Sequence, residues 1–375
     1  MKIAVNTRLL QPNKLDGIGW FSYQTLKRIT QKHPEHQFFF LFDRPYDQQF
    51  IFAGNISPLI IPPPTRHPLL WFTWLEASVP FYLRNIKPDL FLSPDGFVPL
   101  SLKIPVIPVI HDINFHHRPA DLPWSSRYYY RKFFPKFARK AARIATVSEF
   151  SKNDIAHSYE INPNKIDVVY NGAHEMYAPI SLDEKLAVKK RYTQGAEYFI
   201  FVGSLHPRKN VEGLLKGFDQ FKKQTSSNFK LLVVGEKLFM NSALGATYQG
   251  LTSKSDILFT GRKEPDELSK LLASAWSLAF VPYFEGFGIP LLEAMQCDIP
   301  SVASDITSLP EVAGNTAVYV DPNSIDSIAG GLSAMAFNVE LRNSLIANCR
   351  AQRQKFSWDK TAEKLWETVM KGMER

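Results

Sequence analysis

The stretch Tyr283-Phe-Glu-Gly-Phe-Gly-Ile-Pro-Leu-Leu-Glu-Ala-Met295 decides how the rest of this chain is interpreted. It holds Glu285 and Glu293 eight residues apart, with two glycines, a proline and an apolar run between them. The apolar strand Ser277-Leu-Ala-Phe-Val281 precedes it, and a helix is predicted from about Pro290. We therefore expect Glu285 on a tight loop at the carboxyl end of a strand and Glu293 in the first helical turn. In open α/β sheets ligands bind in the crevice at the carboxyl ends of the strands, so both carboxylates can face one bound molecule.

Strands and helices alternate in two series along the chain. The first series predicts strands at Ile3–Val5, Phe38–Phe42, Leu90–Leu92, Val106–Ile110, Arg143–Val147 and Ile166–Tyr170. The second predicts strands at Tyr198–Val202, Leu231–Val234, Ile257–Thr260, Leu278–Val281, Ser301–Ala303 and Ala317–Val320. Short apolar strands with intervening helices indicate parallel sheets covered on both faces. The fold class is therefore α/β, with two Rossmann-like, doubly wound domains.

The boundary between the two domains is expected just after Asn171-Gly172, in an irregular stretch. Residues 1–175 would form the N-terminal domain and residues 176–355 the C-terminal domain. Residues 356–375 would form a final helix that packs back on the N-terminal domain. The apolar face of that helix is predicted from Trp358, Leu365 and Met370.

The composition, with 45% hydrophobic and 21% charged residues, is typical of a globular enzyme. No run of about 18 apolar residues indicates a transmembrane helix. The start Met1-Lys-Ile-Ala-Val-Asn turns polar at once and predicts a strand rather than a signal peptide. Cys297 and Cys349 have neither metal-ligand nor disulfide spacing, which favours packing roles and a reducing, cytoplasmic location.

The segment Ser125–Arg143 combines basic and aromatic side chains and contains no acid. Its basic residues are Arg127, Arg131, Lys132, Lys136, Arg139, Lys140 and Arg143. Its aromatic residues are Tyr128, Tyr129, Tyr130, Phe133, Phe134 and Phe137. Such a helix suits an anionic membrane surface or a phosphorylated acceptor. A core-packed amphipathic helix with a solvated basic face accounts for the pattern about equally well.

A cationic loop, Gly203-Ser-Leu-His-Pro-Arg-Lys-Asn210, follows the strand Tyr198–Val202 and precedes a helix. Gly203 permits a sharp exit from the strand. The helix N–H groups together with Arg208 and Lys209 make an anion site suited to a diphosphate. The helix macrodipole disfavours cations at this end unless an anion is bound. Phosphate binding is therefore favoured over a plain basic helix start.

Three loops of the first domain carry further candidate residues. Gly17 and Gly19 allow close backbone approach and N–H donation to a ligand, although a plain turn fits equally well. The absence of G-x-G-x-x-G there counts against a dinucleotide cofactor. His111 ends a strand, where it could contact a substrate hydroxyl, act as acid or base, or simply pair with Asp112. Ser148 is expected to cap the helix that begins at Glu149.

Several sequence motifs are missing from the chain. There is no D-x-D pair, G-x-x-x-x-G-K-[ST], H-E-x-x-H, G-x-S-x-G or cysteine pair. A dedicated divalent-metal site is therefore not expected. The charge of a bound diphosphate would have to be met by Arg208, Lys209 and helix amino termini.

Together these residues resemble the signature of retaining family 4 glycosyltransferases, also called glycosyl transferases group 1. The resemblance is centred on Glu285 and Glu293 with Gly-Phe-Gly-Ile-Pro-Leu-Leu between them. Other similar segments follow the family's order over nearly the whole chain. They are Gly17-Ile-Gly19, His111-Asp112, Val147-Ser-Glu-Phe-Ser151, Asn171-Gly172, Gly203–Asn210, Phe259-Thr-Gly261 and Ser308-Leu-Pro-Glu-Val-Ala-Gly314.

The resemblance implies a GT-B fold, in which two Rossmann-like domains face a central cleft and the C-terminal helix crosses back to the first domain. The second domain would bind a UDP- or GDP-sugar, and the first a saccharide or lipid-linked acceptor. No cofactor, metal or nucleic-acid partner is expected. Docking of residues 125–143 on the inner face of the cytoplasmic membrane would bring the enzyme to a lipid-linked acceptor. Trp71, Trp74 and Tyr82 are expected in the core, with an aromatic acceptor lip as the alternative.

The family's functional residues carry over to matching positions. His111, Arg208, Lys209 and Glu285 would be catalytic. Arg208 and Lys209 would hold the diphosphate, Glu293 the ribose, and Glu285 the transferred sugar, with His111 beside the reacting carbon. The remaining donor-binding residues would be Gly17, Gly19, Gly203, Gly261, Gly286, Phe287, Gly288 and Ile289.

The expected reaction is retaining transfer of a hexosyl unit, mannosyl or glucosyl, in polysaccharide or glycolipid synthesis. Preorganised cations and N–H dipoles would stabilise charge on the leaving phosphate. Two carboxylates alone would also suit a glycosidase, but the cationic loop argues against it. A nucleotide-sugar epimerase, a phosphorylase and a catalytically silent nucleotide-sugar binding protein remain as alternatives.

Overall fold

The chain folds as two units, each with its own parallel sheet. The computed structural model describes three stretches of the chain, residues 1–12, 15–236 and 242–374. Unit 1 comprises Met1–Gly172 with Ser357–Arg375, and unit 2 comprises Ala173–Phe356. Unit 1 therefore ends at Gly172, within the irregular stretch in which the boundary was expected but before the domain limit at residue 175, and the chain returns to it for its last helix.

Strands and helices alternate in both units, as the sequence predicts. The described strands are β1 (Lys2–Asn6), β2 (Gln37–Phe42), β3 (Ile56–Ile60), β4 (Leu90–Ser93), β5 (Val106–Pro108), β6 (Ile144–Thr146), β7 (Ile166–Val168), β8 (Tyr198–Val202), β9 (Lys230–Val234), β10 (Ile257–Gly261), β11 (Ser277–Phe280), β12 (Ser301–Ser304) and β13 (Ala317–Val320). β3 was missed, because Pro58 interrupts its apolar run. Proline is tolerated in an edge strand, which is the position of β3.

Several of the described helices begin at residues whose side chains cap them. They are α1 (Gly17–Lys32), α2 (Pro68–Thr73), α3 (Val79–Ile86), α4 (Asn114–His117), α5 (Trp124–Lys140), α6 (Glu149–Tyr159), α7 (Leu182–Thr193), α8 (Val211–Thr225), α9 (Ser242–Gly250), α10 (Pro265–Ala273), α11 (Ile289–Gln296), α12 (Leu309–Ala313), α13 (Ile325–Phe337), α14 (Val339–Gln352) and α15 (Trp358–Lys371). The side chains of Ser148, Ser181 and Ser357 accept backbone N–H groups of α6, α7 and α15. Each such cap satisfies a donor that the helix itself leaves unpaired.

The sheet of unit 1 is parallel throughout its described strands, in the order β3-β2-β1-β4-β5. Strands β6 and β7 pair separately, and a parallel bridge between Val109 and Ala145 joins them to the edge beyond β5. The strand order reverses between β1 and β4. That reversal creates the crevice at which ligands bind in sheets of this type.

The sheet of unit 2 follows the same plan. Its described strands are all parallel, in the order β10-β9-β8-β11-β12-β13. Here the order reverses between β8 and β11. The first and fourth strands of each unit therefore lie side by side at the sheet centre, and the loops that follow them are the natural place for a site.

Helix α15 belongs to unit 1 although it comes last in the chain. Its residues Trp358, Leu365 and Val369 are buried, and the Thr361 hydroxyl donates to the Tyr170 carbonyl over 2.6 Å. The prediction that Met370 completes the apolar face was wrong, since Met370 is exposed and Val369 takes that place. Cys297 and Cys349 are both buried, as expected for packing residues. Among the described helices, none has the length and hydrophobicity needed to cross a bilayer.

Candidate active site

The predicted cations and the first glutamate converge where the strand order of unit 2 reverses. Gly203 follows β8 directly, and a single 3₁₀ turn, Pro207–Lys209, carries Arg208 and Lys209. Glu285 lies on the loop after β11, the strand next to β8. The side chains predicted separately from two motifs therefore form one group at the position where ligands bind in such sheets.

Glu285 forms ion pairs with both cations. Its Oε1 atom lies 2.6 Å from Arg208 Nη1 and also contacts Lys209 Nζ. Arg208 Nη1 donates in addition to the Phe284 carbonyl over 3.1 Å. The Lys209 ammonium lies 5.0 Å from the centroid of the Phe280 ring, within the range of a cation–π contact. The sequence identified all three charged residues but did not predict that they pair.

The ion pairs fix the charge state of Glu285. Burial raises the pKa of its carboxyl, but the charges of Arg208 and Lys209 and their hydrogen bonds lower it further, so the net pKa is below the ordinary value. Glu285 is therefore ionised at neutral pH. An ionised carboxylate between two cations accepts hydrogen bonds and orients the cations, and it is a poor proton donor.

A neighbouring asparagine holds the cationic turn in place. Asn210 adopts the left-handed conformation with φ of 53°. Its amide donates to the Val281 carbonyl over 2.9 Å and to the Pro322 carbonyl over 2.8 Å. The Tyr283 amide donates to the Arg208 carbonyl over 2.9 Å, which ties the two loops together directly. Sequence reasoning did not assign Asn210 a role, although asparagine is among the residues that tolerate this conformation.

Glycines let three strand ends approach one another beside this turn. Gly203 donates its N–H to the Val234 carbonyl, and Gly235 donates to the Gly261 carbonyl over 3.1 Å. A Cβ atom on Gly235 would lie only 1.8 Å from the Gly203 carbonyl oxygen. Gly203 and Gly261, predicted to be donor-binding, have φ of 148° and 73°. Gly235 was missed, because a lone glycine after a strand carries no distinctive pattern.

Glu293 lies in a different environment from Glu285. Gly288, with φ of 98°, precedes α11, so Glu293 falls in the second helical turn. The expected position in the first turn was wrong, because the helix begins one residue before Pro290. Burial raises the pKa of Glu293 to about 7, against the opposing effect of a hydrogen bond from the Tyr177 hydroxyl. Sequence reasoning missed Tyr177, which lies in the irregular stretch before α7.

The other predicted residues of this loop lie between the two glutamates. Gly286 and Phe287 follow Glu285, and Phe287 is buried with its ring 5.6 Å from that of Phe356. A Cβ atom on Gly288 would lie 2.7 Å from Leu309. Ile289 is the first residue of α11. The Ser308 hydroxyl donates to the Glu285 carbonyl over 3.0 Å, so α12 also supports the loop.

His111 follows β5 in unit 1 and is held by a backbone group. Its Nε2 lies 2.8 Å from the Pro94 carbonyl and therefore carries the proton, which leaves Nδ1 as an acceptor. Burial lowers the pKa of His111, and this outweighs the raising effects of the Pro94 bond and of Asp112. The alternative that His111 simply pairs with Asp112 was wrong, because Asp112 accepts instead from the backbone and side chain of Asn114.

The glycines of the first loop lie at the start of α1. Asp16 caps this helix, and its Oδ1 accepts the Gly19 N–H over 2.9 Å. The expectation that the Gly19 N–H faces a ligand was therefore wrong, because the capping carboxylate takes it. Gly17 is the first residue of the helix. Ser148 caps α6 as predicted, by accepting the Ser151 N–H over 3.0 Å.

The basic and aromatic segment is helix α5 with a buried face. Tyr129, Phe134 and Phe137 are buried, whereas Arg131, Lys132, Lys136 and Arg139 are exposed. Buried aromatic residues and exposed basic residues on one helix are the pattern that the alternative of a core-packed amphipathic helix predicts. Trp124 and Tyr128 remain exposed at 71% and 55%. Trp74 is buried in the core, as expected, and Trp71 is partly buried, whereas the core placement was wrong for Tyr82, which is exposed at 37%.

One group of potential metal ligands occurs among residues 1–12, 15–236 and 242–374. His33, Glu35 and His36 have ligand atoms within 4.8 Å of one another. They lie between α1 and β2, and Trp366 stacks on His33 with ring centroids 4.1 Å apart. This group is separate from the residues that the sequence analysis assigned to the site.

Comparison with known proteins identifies the family of the chain. Residues 183–352 match the family Glycosyl transferases group 1, and residues 16–175 match Glycosyltransferase Family 4. O-antigen chain mannosyltransferase B of Escherichia coli is 30% identical over 278 residues, which cover 74% of this chain and 73% of that protein. O-antigen chain mannosyltransferase RfbU of Salmonella typhimurium is 29% identical over 259 residues, covering 68% and 67%.

Solved structures share the fold at low identity. Anabaena HepE in complex with UDP and glucose has a TM-score of 0.76 at 16% identity, covering 99% of each chain. Sucrose-phosphate synthase from Thermosynechococcus elongatus has a TM-score of 0.78 at 15% identity, covering 98% of each. The predicted GT-B fold is thus confirmed. The chain belongs to the glycosyl transferases group 1 family and is a glycosyltransferase.

Proposed function

We propose that the chain transfers a mannosyl unit from a nucleoside-diphosphate mannose to a saccharide or lipid-linked saccharide, in the synthesis of a surface polysaccharide. Two proteins that are similar to this chain over most of their own length are O-antigen chain mannosyltransferases, which supports mannose over glucose as the transferred sugar. The observation that carries the proposal is the group of Arg208, Lys209 and Glu285 at the strand reversal of unit 2. Two cations there suit a diphosphate leaving group.

The chemical step that we propose needs charge stabilisation more than proton transfer. Cleavage of the glycosyl–phosphate bond places negative charge on the leaving phosphate. Arg208 and Lys209 are fixed before the reaction, which is the condition under which electrostatic groups lower a barrier most. Attack from the face that the phosphate leaves, with that phosphate as base, would retain the anomeric configuration. In this proposal no metal ion is required.

The remaining residues would position the donor. Glu293 would accept hydrogen bonds from the ribose hydroxyls, and Glu285 from the transferred sugar. The backbone N–H groups of Phe287 and Gly288 would lie near sugar or phosphate. The neutral imidazole of His111 has Nδ1 as acceptor, which suits a sugar hydroxyl beside the reacting carbon. Gly17 and Gly19 would then contribute to donor binding only by letting their backbone approach the donor closely.

A thermal-shift comparison of UDP, GDP, UDP-glucose and GDP-mannose tests the donor. A ligand at a hundredfold excess over its Kd stabilises the fold by about 2.7 kcal/mol, so the correct base separates clearly from the wrong one. Release of mannose from GDP-mannose without acceptor, and transfer to an oligomannoside with it, test the reaction. Binding without either product would indicate a silent binding protein. A product epimerised at one carbon would indicate an epimerase.

We further propose that unit 1 docks peripherally on an anionic membrane at the cytoplasmic face. Trp124 and Tyr128 are exposed on α5 and stack with ring centroids 6.0 Å apart. Lys132 lies beside them, 5.2 Å from the Tyr128 ring centroid, and Lys136 is exposed one turn further on. Exposed aromatic rings next to cations suit the interface of an anionic bilayer.

Liposome co-sedimentation tests this docking. We expect binding to vesicles with phosphatidylglycerol to exceed binding to phosphatidylcholine vesicles. The double variant Trp124→Ala/Tyr128→Ala should lose most of it. Phe337→Ala, which removes an exposed aromatic ring from unit 2, is the matched control and should bind as the wild type does. Equal binding to both vesicle types would contradict the proposal.

A further inference from the structure

Unit 1 contains a buried ion pair that lies outside the residues assigned so far. Arg8 follows β1 and Asp95 follows β4, the neighbouring strands at which the sheet order reverses. Arg8 Nε donates to Asp95 Oδ2 over 2.6 Å, and the two side chains are only 6% and 4% exposed. The pair thus joins the first and fourth strands of unit 1, as Lys209 and Glu285 do in unit 2.

The carboxylate of this pair is fully engaged. Asp95 Oδ1 accepts from Asn6 Nδ2 over 2.7 Å, from the Ser93 hydroxyl over 2.9 Å and from the Phe97 amide over 3.2 Å. Its other oxygen accepts from Arg8. Donors on every side make Asp95 a rigid anchor, which fixes the plane and position of the Arg8 guanidinium.

The Arg8 guanidinium, in contrast, has nitrogen donors that are not engaged. Within the part of the chain that the structure describes, the Arg8 side chain donates only through Nε, and Nη1 and Nη2 make no hydrogen bond. The guanidinium carbon lies 4.1 Å from the Phe97 ring centroid and 5.9 Å from that of Trp71. Neither nitrogen is among the unpaired side-chain atoms of the described residues that are sealed from solvent, so both can be reached by a ligand that accepts hydrogen bonds.

Two tyrosine hydroxyls lie beside the same rings. The Trp71 ring centroid is 5.4 Å from that of Tyr129 and 5.9 Å from that of Tyr130. Neither tyrosine hydroxyl has a hydrogen-bond partner in residues 1–12, 15–236 and 242–374, and neither is among the unpaired side-chain atoms that are sealed from solvent. Burial raises the pKa of Tyr130 to about 12 while Arg8 opposes this, so hydroxyl and guanidinium are within electrostatic reach.

We propose that these residues bind a neutral sugar ring of the acceptor. We name them the Arg8 cluster: Arg8, Trp71, Asp95, Phe97, Tyr129 and Tyr130. The inference rests on the proposed function and adds the chemical class of the acceptor at this site. The fork of Arg8 donates to two adjacent sugar hydroxyls. The tyrosine hydroxyls bond a further one, and the aromatic rings pack on the apolar face of the sugar, as in other pockets with few polar groups.

The charge around the cluster favours a neutral sugar over a phosphate. Asp95 already neutralises the Arg8 charge. Asp16 and Asp112 are also within electrostatic reach of Tyr130. A phosphate here would meet a carboxylate behind the guanidinium and further acids nearby, and like charges repel most strongly where water is excluded. A hydroxylated ring without charge avoids that cost.

Three conservative variants remove ligand contacts while they leave the fold supported. Tyr129→Phe and Tyr130→Phe each delete a hydroxyl that makes no protein hydrogen bond. Arg8→Lys keeps a cation for Asp95 but loses the planar fork. Tyr159→Phe is the matched control, because Tyr159 is a buried tyrosine of unit 1 whose hydroxyl also has no hydrogen-bond partner among the described residues. Its ring contacts that of His116 instead of the Arg8 cluster.

The probe is α-linked mannotriose, with GDP-mannose as donor. We expect each tyrosine variant to raise the KM for mannotriose roughly 3- to 10-fold, and Arg8→Lys by about 10-fold or more. The KM for GDP-mannose and its hydrolysis without acceptor should stay at wild-type values. Tyr159→Phe should change none of these quantities. An unchanged mannotriose KM in all three variants, or a change confined to the donor KM, would overturn the proposal.

Direct binding separates this inference from the proposed function. Saturation-transfer NMR should show mannotriose bound to the wild type, with weaker transfer in Tyr130→Phe. If GDP-mannose is neither bound nor hydrolysed, the proposed function fails while mannotriose binding still tests the Arg8 cluster. If the donor is hydrolysed but mannotriose does not bind, the cluster proposal alone fails. Binding of mannose 1-phosphate in preference to mannotriose would contradict the assignment of a neutral sugar.

Discussion

The Arg208 guanidinium and the Glu285 carboxylate meet at 2.6 Å although the two residues are 77 positions apart in the chain. The contact joins the loop after β8 to the loop after β11, and Lys209 shares the same carboxylate oxygen. Both cations that we assign to the diphosphate thus share one buried acid before any ligand arrives, and the group of three keeps one positive charge. A donor must therefore compete with Glu285 for its cations, and the acid holds them in place until it does.

Replacing Glu285 with glutamine should destabilise the free protein and strengthen its response to nucleotides. Two enclosed cations would lose their counter-charge, at a cost of about 3 kcal/mol. A bound diphosphate would then replace the missing negative charge. We expect a lower Tm for Glu285→Gln without ligand, and a larger upward shift with UDP or GDP than the wild type shows.

The control for this variant is Glu212→Gln. Glu212 pairs with Lys216 on an exposed face of α8, with both side chains nearly half exposed. Exposed pairs of this kind contribute less than about 1 kcal/mol. A Glu285→Gln protein with the Tm and the nucleotide shift of Glu212→Gln would show that the buried pairs do not govern donor binding.

Removing either cation should slow turnover much more than it weakens the fold. Fixed donors aimed at a developing charge are each worth roughly 10²–10³ in rate. We expect Arg208→Ala and Lys209→Ala each to reduce kcat by about that factor in a GDP-mannose transfer assay. Lys216→Ala removes an exposed lysine of α8 and should leave kcat unchanged. Wild-type turnover in both site variants would exclude the phosphate assignment.

Titration of the Glu293 carboxyl should lower the free energy of unfolding as pH rises. Its pKa is about 7 in the folded state against an ordinary value of 4.5, so between these values the folded state holds a proton that the unfolded state has lost. Stability contributed by the protonated form is complete below about pH 4.5 and is lost as pH rises through about 7. Glu293→Gln avoids this loss, which amounts to at most about 3 kcal/mol.

Thermal unfolding of Glu293→Gln from pH 5 to pH 8 measures this effect. Its Tm should gain on that of the wild type as pH increases, while its affinity for GDP-mannose at pH 8 falls, because an amide accepts less strongly from ribose hydroxyls. Glu340→Gln, at an exposed position of α14, should track the wild type at every pH. A constant difference in Tm across the pH range would rule out titration of Glu293.

Replacing Gly235 with alanine should displace the turn that carries Arg208 and Lys209, although Gly235 is not part of that turn. Its Cβ atom would lie 1.8 Å from the Gly203 carbonyl oxygen, so the exit from β8 would have to move. We expect Gly235→Ala to lose both thermal stability and transfer activity, since Arg208 and Lys209 follow Gly203 closely. Gly245→Ala in α9 meets no atom within 4 Å and should be neutral or slightly stabilising. Full activity in a well-folded Gly235→Ala protein would contradict this coupling.

Strands buried on both faces were predictable because they appear as continuous apolar runs, as in Tyr198–Val202 and Leu90–Leu92. Edge strand β3 was not, because its proline and half-exposed side chains resemble a loop. The first turn of α11 shifted by one residue, since Gly288 with its positive φ, instead of Pro290, defines the start. Local propensity was thus sufficient to locate the strands and helices. The backbone conformation at their ends became clear only from the folded structure.

The charged residues of the site were predictable by type and position, but their partners were not. Arg208, Lys209 and Glu285 stood out because each follows a strand. Their ion pairs depend on β8 and β11 being neighbours, which no local pattern specifies. Arg8 and Asp95 escaped notice for the same reason, since each is unremarkable until β1 lies beside β4. Contacts between loops far apart in sequence are decided by sheet order.

The place of α15 in unit 1 sets an order on how the chain can fold during synthesis. Tyr170 accepts its hydrogen bond from Thr361, which is 191 residues further along the chain. A Cβ atom on Gly172 would lie 2.4 Å from the Trp358 amide nitrogen, so both ends of the excursion meet within unit 1. Residues 173–356 are continuous and can condense as soon as they leave the ribosome. The unit that starts first must wait for Leu365 and Val369 to seal its core, which reverses the usual amino-to-carboxyl sequence of domain folding.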